Sequence, residues 1–93
     1  MIDLSDYLMP PDIKMLVANN EKKLRKKQKM TQQDLSARST VSLGSIKRFE
    51  RTGEISLHSL VLIAYALGCQ NDFEKLFTKP YFETQEEFRL ANL

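Results

Sequence analysis

The chain has 93 residues, with 14 Lys or Arg against 12 Asp or Glu, one cysteine, one histidine and a net charge of +2. Domains commonly hold about 100 to 150 residues, so there is room for one core and none for a second catalytic lobe. The 42% apolar content is that of an ordinary globular chain, no apolar run approaches the roughly 18 residues of a membrane span, and the acidic start MIDLSDYL lacks the basic-then-apolar order of a secretion signal, so a cytoplasmic protein is expected.

Residues 1–11 end in Pro10-Pro11, which forces extended backbone before it, and they are expected to form an N-terminal arm. Asp12 is placed to cap a first helix whose apolar positions Ile13, Leu16, Val17 and Leu24 follow a period near 3.6, with Lys22, Lys23, Lys26 and Lys27 mostly on other faces. Thr31 is a strong N-cap for a short second helix running to about Ser39, with Asp34 near its positive start. Ser42 caps a third helix from Leu43 to about Arg51, with Ile46 and Phe49 inward, Lys47, Arg48 and Arg51 outward, and Gly53 as its stop.

Ser56 opens a fourth helix with Leu57, Leu60, Val61, Ala64 and Leu67 on one face, Leu62 and Tyr65 on the other, and Gly68 just past its end. Asn71 or Asp72 begins a short fifth helix holding Phe73, Leu76 and Phe77, ended by Pro80. Thr84 and Glu87 then make the T-x-x-E capping box of a last helix anchored by Phe88, and residues 79–83 read alternatively as a short strand. The expected fold class is all-α. Residues 12–78 form the main domain and residues 79–93 a C-terminal extension suited to dimerisation or to a partner.

Charge is sorted along the chain. From Glu21 to Arg51 ten basic residues face three acidic ones, a local +7, while the flanking segments carry −2 and −3. Such a region reads either as a solvated basic face or as a polyanion-binding surface. Two short helices joined by a tight turn, the second with a basic outward face, outline a helix-turn-helix. Met30-Thr31-Gln32-Gln33-Asp34-Leu35-Ser36, Val41-Ser42, Ile46, Phe49-Glu50-Arg51 and Leu57 to Gly68 resemble the lambda-repressor-like (Xre-type) DNA-binding family over about Ile13 to Phe77. That resemblance implies a five-helix fold whose third helix lies in the major groove of double-stranded DNA, bound by a homodimer.

Transferred residue by residue, the resemblance puts Gln32 against a phosphate at the start of the second helix. Ser42, Leu43, Gly44, Ser45, Lys47 and Arg48 match the DNA-facing positions of the third. Arg48 is the expected reader of guanine, through a fork that bonds O6 and N7 together; Lys47 either reads a base or holds a phosphate. Leu43 suits a thymine methyl, and Gly44 either permits close approach to DNA or marks an imperfect helix. Lys26, Lys27, Thr31 and Arg51 are expected phosphate contacts. Glu50, out of place on a surface facing a polyanion, takes the position that in the family pairs with an Arg of the first helix, here Arg25, and is read as structural. Thr40 departs from the pattern, because the family often has Gly at the turn and a β-branched residue at positive φ is strained.

Arg48 to Leu57 and Asp72 to Phe77 further resemble the HipB-like antitoxins found beside HipA-type kinase toxins, which implies a repressor of a palindromic operator with a HipA-like kinase partner. An enzyme is not expected, since His58 and Cys69 offer no nucleophile-and-base pair and too few ligands for a structural zinc site; no metal, cofactor or membrane partner is expected either. The rival reading is a protein-interaction module without sequence-specific DNA binding, built on Tyr7, Leu8, Leu62, Tyr65, Tyr81, Phe82 and Phe88. RNA binding is disfavoured, because exposed aromatics are not interleaved with the basic residues.

Overall fold

A computed structural model describes residues 8–80 of the chain. The described residues form five helices and no strand: α1 (Pro10–Lys27), α2 (Gln32–Ser39), α3 (Leu43–Thr52), α4 (Leu57–Leu67) and α5 (Asn71–Glu74). The expected arm residues 1–7, the pairing of 79–83 beyond Pro80, and the Thr84–Glu87 capping box lie outside the described residues.

Helix α1 starts earlier than the sequence suggests. Pro10 and Pro11 occupy its first two positions, where the missing N–H groups would have no intrahelical partner anyway and the fixed φ is already helical. Asp12 is therefore not the cap; its Oδ2 accepts from the N–H of Met9 at 3.0 Å and closes the first turn from inside it. The buried side of α1 also differs from the expected one. Ala18, Glu21 and Arg25 are buried, whereas Ile13 and Leu16 are each 49% exposed and Val17 is 39% exposed. On a helix of 3.6 residues per turn, these two sets are centred about a third of a turn apart. Two contacts fix the rotation: the Arg25–Glu50 pair, and Gly53, where an added Cβ would stand 2.9 Å from Lys14 Cβ and 3.0 Å from its carbonyl carbon.

The other helix ends follow their caps. Thr31 Oγ1 accepts from Asp34 N, and Asp34 Oδ2 accepts from Thr31 N, a reciprocal capping box. Ser42 and Ser56 accept from Ser45 N and Ser59 N at the starts of α3 and α4. Gly53 and Gly68 end those helices in the left-handed conformation.

Packing joins α1 to α3, and α2 to both α3 and α4. Phe49, Leu35, Ile46 and Ile63 are fully buried, and Leu35, Ile46 and Ile63 form one cluster with Met30, Val41 and Leu67. On α4 the inward residues are Ile63, Ala64 and Leu67; Leu57, expected inward, stands exposed in the first turn. Helix α5 stops at Glu74, well before Pro80, and Phe77 takes a left-handed backbone (φ 64°) with 86% of its surface exposed. One turn of helix is too short to bring Leu76 and Phe77 back onto the core, so only Phe73 is half-buried.

Candidate nucleic-acid interface

Helices α2 and α3 are separated by three residues, Thr40 to Ser42. Thr40 ends α2 in the left-handed region (φ 65°), and its N–H reaches Ser36 O at 2.9 Å. The strain foreseen for a β-branched residue is therefore present, and hydrogen bonds hold the turn in place: Ser36 Oγ donates to Val41 O at 2.6 Å, and Val41 N donates to Ser39 Oγ at 3.1 Å. The buried Leu35 and Val41 anchor the turn from below. The angle between α2 and α3 is thus set by local bonding and the core together.

Ile46, Phe49 and Glu50 are turned inward, and the opposite side of α3 faces water. Ser42, Gly44, Ser45, Lys47, Arg48 and Arg51 are exposed, and Leu43 is half-buried. Ser45 and Arg48 open on a cleft of about 310 Å³ walled by Glu54, Ile55, Ser56 and Ser59. No atom outside the helix comes within 4 Å of where a Gly44 Cβ would stand, so nothing inside the protein requires glycine there. Lys26 and Lys27 are exposed in the last turn of α1, where cations suit the negative end of the helix dipole. Thr31 is exposed at the start of α2.

Beneath this surface lies a buried polar cluster. Arg25 donates from Nε and Nη2 to the two oxygens of Glu50 at 2.9 and 2.8 Å, and from Nη1 to Met30 O at 2.8 Å. This bidentate geometry joins α1 to α3 while tying both to the loop before α2. Burial alone would raise the pKa of Glu50, but the hydrogen bonds from Arg25 and Gln32 and the positive charge of Arg25 help to outweigh it, and the carboxyl lies below its ordinary value. Gln32 donates its amide to Glu50 Oε1 at 3.1 Å, so the side chain expected to meet a phosphate is already bonded inside the protein. Its backbone N–H at the start of α2 remains one of the groups with no intrahelical acceptor.

Three features escaped the sequence reading. Glu21 is buried beside Arg25 and Glu50, although its i, i+4 spacing to Arg25 was visible. The Gln32–Glu50 bond had no local signal, because the two residues meet only through the packing of α2 on α3. Lys14 pairs with Glu54 at 3.0 Å over the Gly53 turn, another contact between distant segments.

Comparison with curated proteins finds no match, nor does comparison with solved structures. The profile described as "Helix-turn-helix" matches residues 22–70, from the middle of α1 through α4. These are the segments that build the exposed face of α3, the turn before it and the core that holds both, and the chain belongs to the helix-turn-helix family of DNA-binding domains, of the lambda-repressor-like (Xre) type.

Proposed function

We propose that the protein is a sequence-specific transcriptional regulator, a repressor that binds a palindromic operator as a homodimer. The observation that carries this reading is α3 itself, whose outer side presents Ser45, Lys47, Arg48 and Arg51 to solvent while its inner side is locked by Phe49, Ile46 and Glu50. A rigidly mounted basic helix can enter a major groove, where Arg48 bonds guanine O6 and N7, Ser42, Ser45 and Lys47 meet neighbouring base edges or phosphates, and Leu43 meets a thymine methyl. Lys26, Lys27, Thr31, Arg51 and the N-terminus of α2 at Gln32 supply phosphate contacts that set register without reading sequence.

Dimerisation follows from the short readout of a single helix, since two half-sites about 34 Å apart give the needed discrimination. The exposed row Ile13, Leu16 and Val17 on α1 supports a seam between copies; the apolar Tyr81, Phe82 and Phe88 of the C-terminal extension are a second candidate, on sequence alone. A HipA-like kinase is the narrower partner reading; it rests on the likeness at residues 48–57 and 72–77 and would use the same extension.

Selecting bound duplexes from a random-sequence pool tests the proposal. A palindromic consensus with half-site centres one helical turn apart is expected. Enrichment of no sequence over the starting pool would favour the rival reading, a protein-interaction module, for which the exposed α1 row and the 62% exposed Tyr65 are the supporting surface.

A further inference from the structure

Glu21 lies in the seam between α1 and α3 with only 5% of its side chain exposed, and neither of its carboxyl oxygens has a hydrogen-bond donor. The nearest cation is Arg25, whose guanidinium is committed to Glu50 and Met30. Its Nε stands 4.0 Å from Glu21 Oε2, beyond hydrogen-bond reach. Two buried carboxyl groups therefore share one guanidinium that already serves the other of them. An ionised carboxylate buried without donors is strongly disfavoured, and the group relieves that cost by keeping its proton.

We propose that Glu21 is a neutral carboxylic acid at neutral pH whose O–H donates to Glu50, and that losing this proton loosens α3 from α1. The bond supplies the partner that Glu21 otherwise lacks and adds to the bonds holding Glu50 in place. Burial is the largest influence, followed by the bond to Glu50 and its negative charge; together they push the Glu21 pKa up to about 8 against the opposing pull of Arg25 and Lys22. The groups facing Glu21 come from several elements: Arg25 and Lys22 from α1, Glu50 from α3 with the Gln32 amide behind it, and Cys69 and Asp72, which line the same cavity. Helix α4 adds only Leu60, Ile63, Ala64 and Leu67 to that cavity. Burial and then Asp72 raise the Cys69 thiol above its ordinary value, out of the range that matters here.

The sign is fixed by linkage. Unfolded Glu21 ionises near its ordinary 4.5, and folded Glu21 near 8. Between these values the folded chain holds a proton that the unfolded chain has released, so the folding constant falls as pH rises, approaching tenfold per unit. The contribution is complete below 4.5 and lost above 8. Glu50 behaves oppositely: its lowered pKa gives stability that is present above its ordinary value and lost as pH falls through the folded one, so the two windows do not overlap. In the proposed function, on which this meaning rests, α3 is the helix that reads DNA, and its mounting becomes sensitive to pH around neutrality.

Urea unfolding of the full chain between pH 5.5 and 8, for the native sequence and for Glu21→Gln, tests the proposal. The amide of Gln can donate to Glu50 but cannot ionise. The ratio of the native folding constant to that of the variant is expected to fall about 100-fold across this range, at close to tenfold per unit; a pH-independent ratio overturns the proposal. Carbon-13 carboxyl titration of the native chain keeps the question answerable if the variant does not fold. A Glu21 resonance titrating near 8 supports the proposal, and one titrating near 4.5 overturns it. Both measurements are made without DNA, so they stand or fall separately from the DNA-binding reading.

Discussion

Arg25 does more than balance a charge. Its guanidinium bonds both oxygens of Glu50 and the carbonyl of Met30, and its loss strands two buried carboxyl groups. Removing one partner of a buried pair typically costs about 3 to 5 kcal/mol, a large share of the stability of a small domain. Arg25→Ala is therefore expected to lower Tm by more than about 10 °C without DNA, measured by thermal circular dichroism; an unchanged Tm would make Arg25 a surface phosphate contact. Thr40 offers the opposite case. Its left-handed backbone costs about 1 to 2 kcal/mol that glycine would not incur, partly offset by the greater entropy of unfolded glycine. Thr40→Gly is expected to raise Tm by a few degrees, and a fall would mean that the Thr40 hydroxyl contributes more than the strain costs. The pairing of Arg25 with Glu50 was readable in the sequence through family resemblance. The place of Glu21 beside them was not, since a lone Glu on a lysine-rich helix looks like a solvated residue until the packing of α1 on α3 is known.

The helices themselves were largely legible, because Thr31, Ser42, Ser56, Gly53 and Gly68 are local signals that act on their own helix ends. The rotation of α1 was not. Its apolar row Ile13, Leu16 and Val17 suggested one buried face, whereas Glu50 on α3 and Gly53 just past its end select another. Hydrophobic period reports where apolar residues lie on a helix, and only the partner decides which side is covered. Helix α5 shows a related limit, since Phe73, Leu76 and Phe77 have helical spacing but the helix ends after one turn. Gly44 carries a prediction of its own. An added methyl group meets nothing in the protein, and alanine improves helix propensity by up to about 1 kcal/mol. Gly44→Ala is expected to keep or raise Tm while weakening binding to the selected duplex; undiminished affinity would show that α3 does not approach DNA closely at that point.

At the scale of the described chain, the basic excess and the exposed apolar row of α1 lie in different segments. The basic excess lies in residues 21–51, spanning the end of α1 through α3, while the exposed apolar row lies on the first half of α1. The proposed seam between copies uses that α1 row and none of the DNA-facing residues of α3. Leu16 is half exposed, so for the proposed homodimer Leu16→Asp is expected to cost little stability and to sediment as a monomer where the native chain sediments as a dimer; a variant that still sediments as a dimer places the seam elsewhere. No described helix is long and apolar enough to cross a membrane.

The central claim is that α3 reads sequence through Arg48, and affinity for the selected operator and for a scrambled duplex, followed across salt concentration, tests it most directly. Arg48→Ala is expected to lose about 1 to 3 kcal/mol on the operator, to relax preference at one base pair per half-site, and to lose much less on the scrambled duplex. Lys26→Ala, as a phosphate contact, should weaken both duplexes alike and make the salt dependence shallower by about one counterion per subunit. Equal losses on operator and scrambled duplex for Arg48→Ala would contradict the claim and move base reading to Leu43, Ser45 and Lys47.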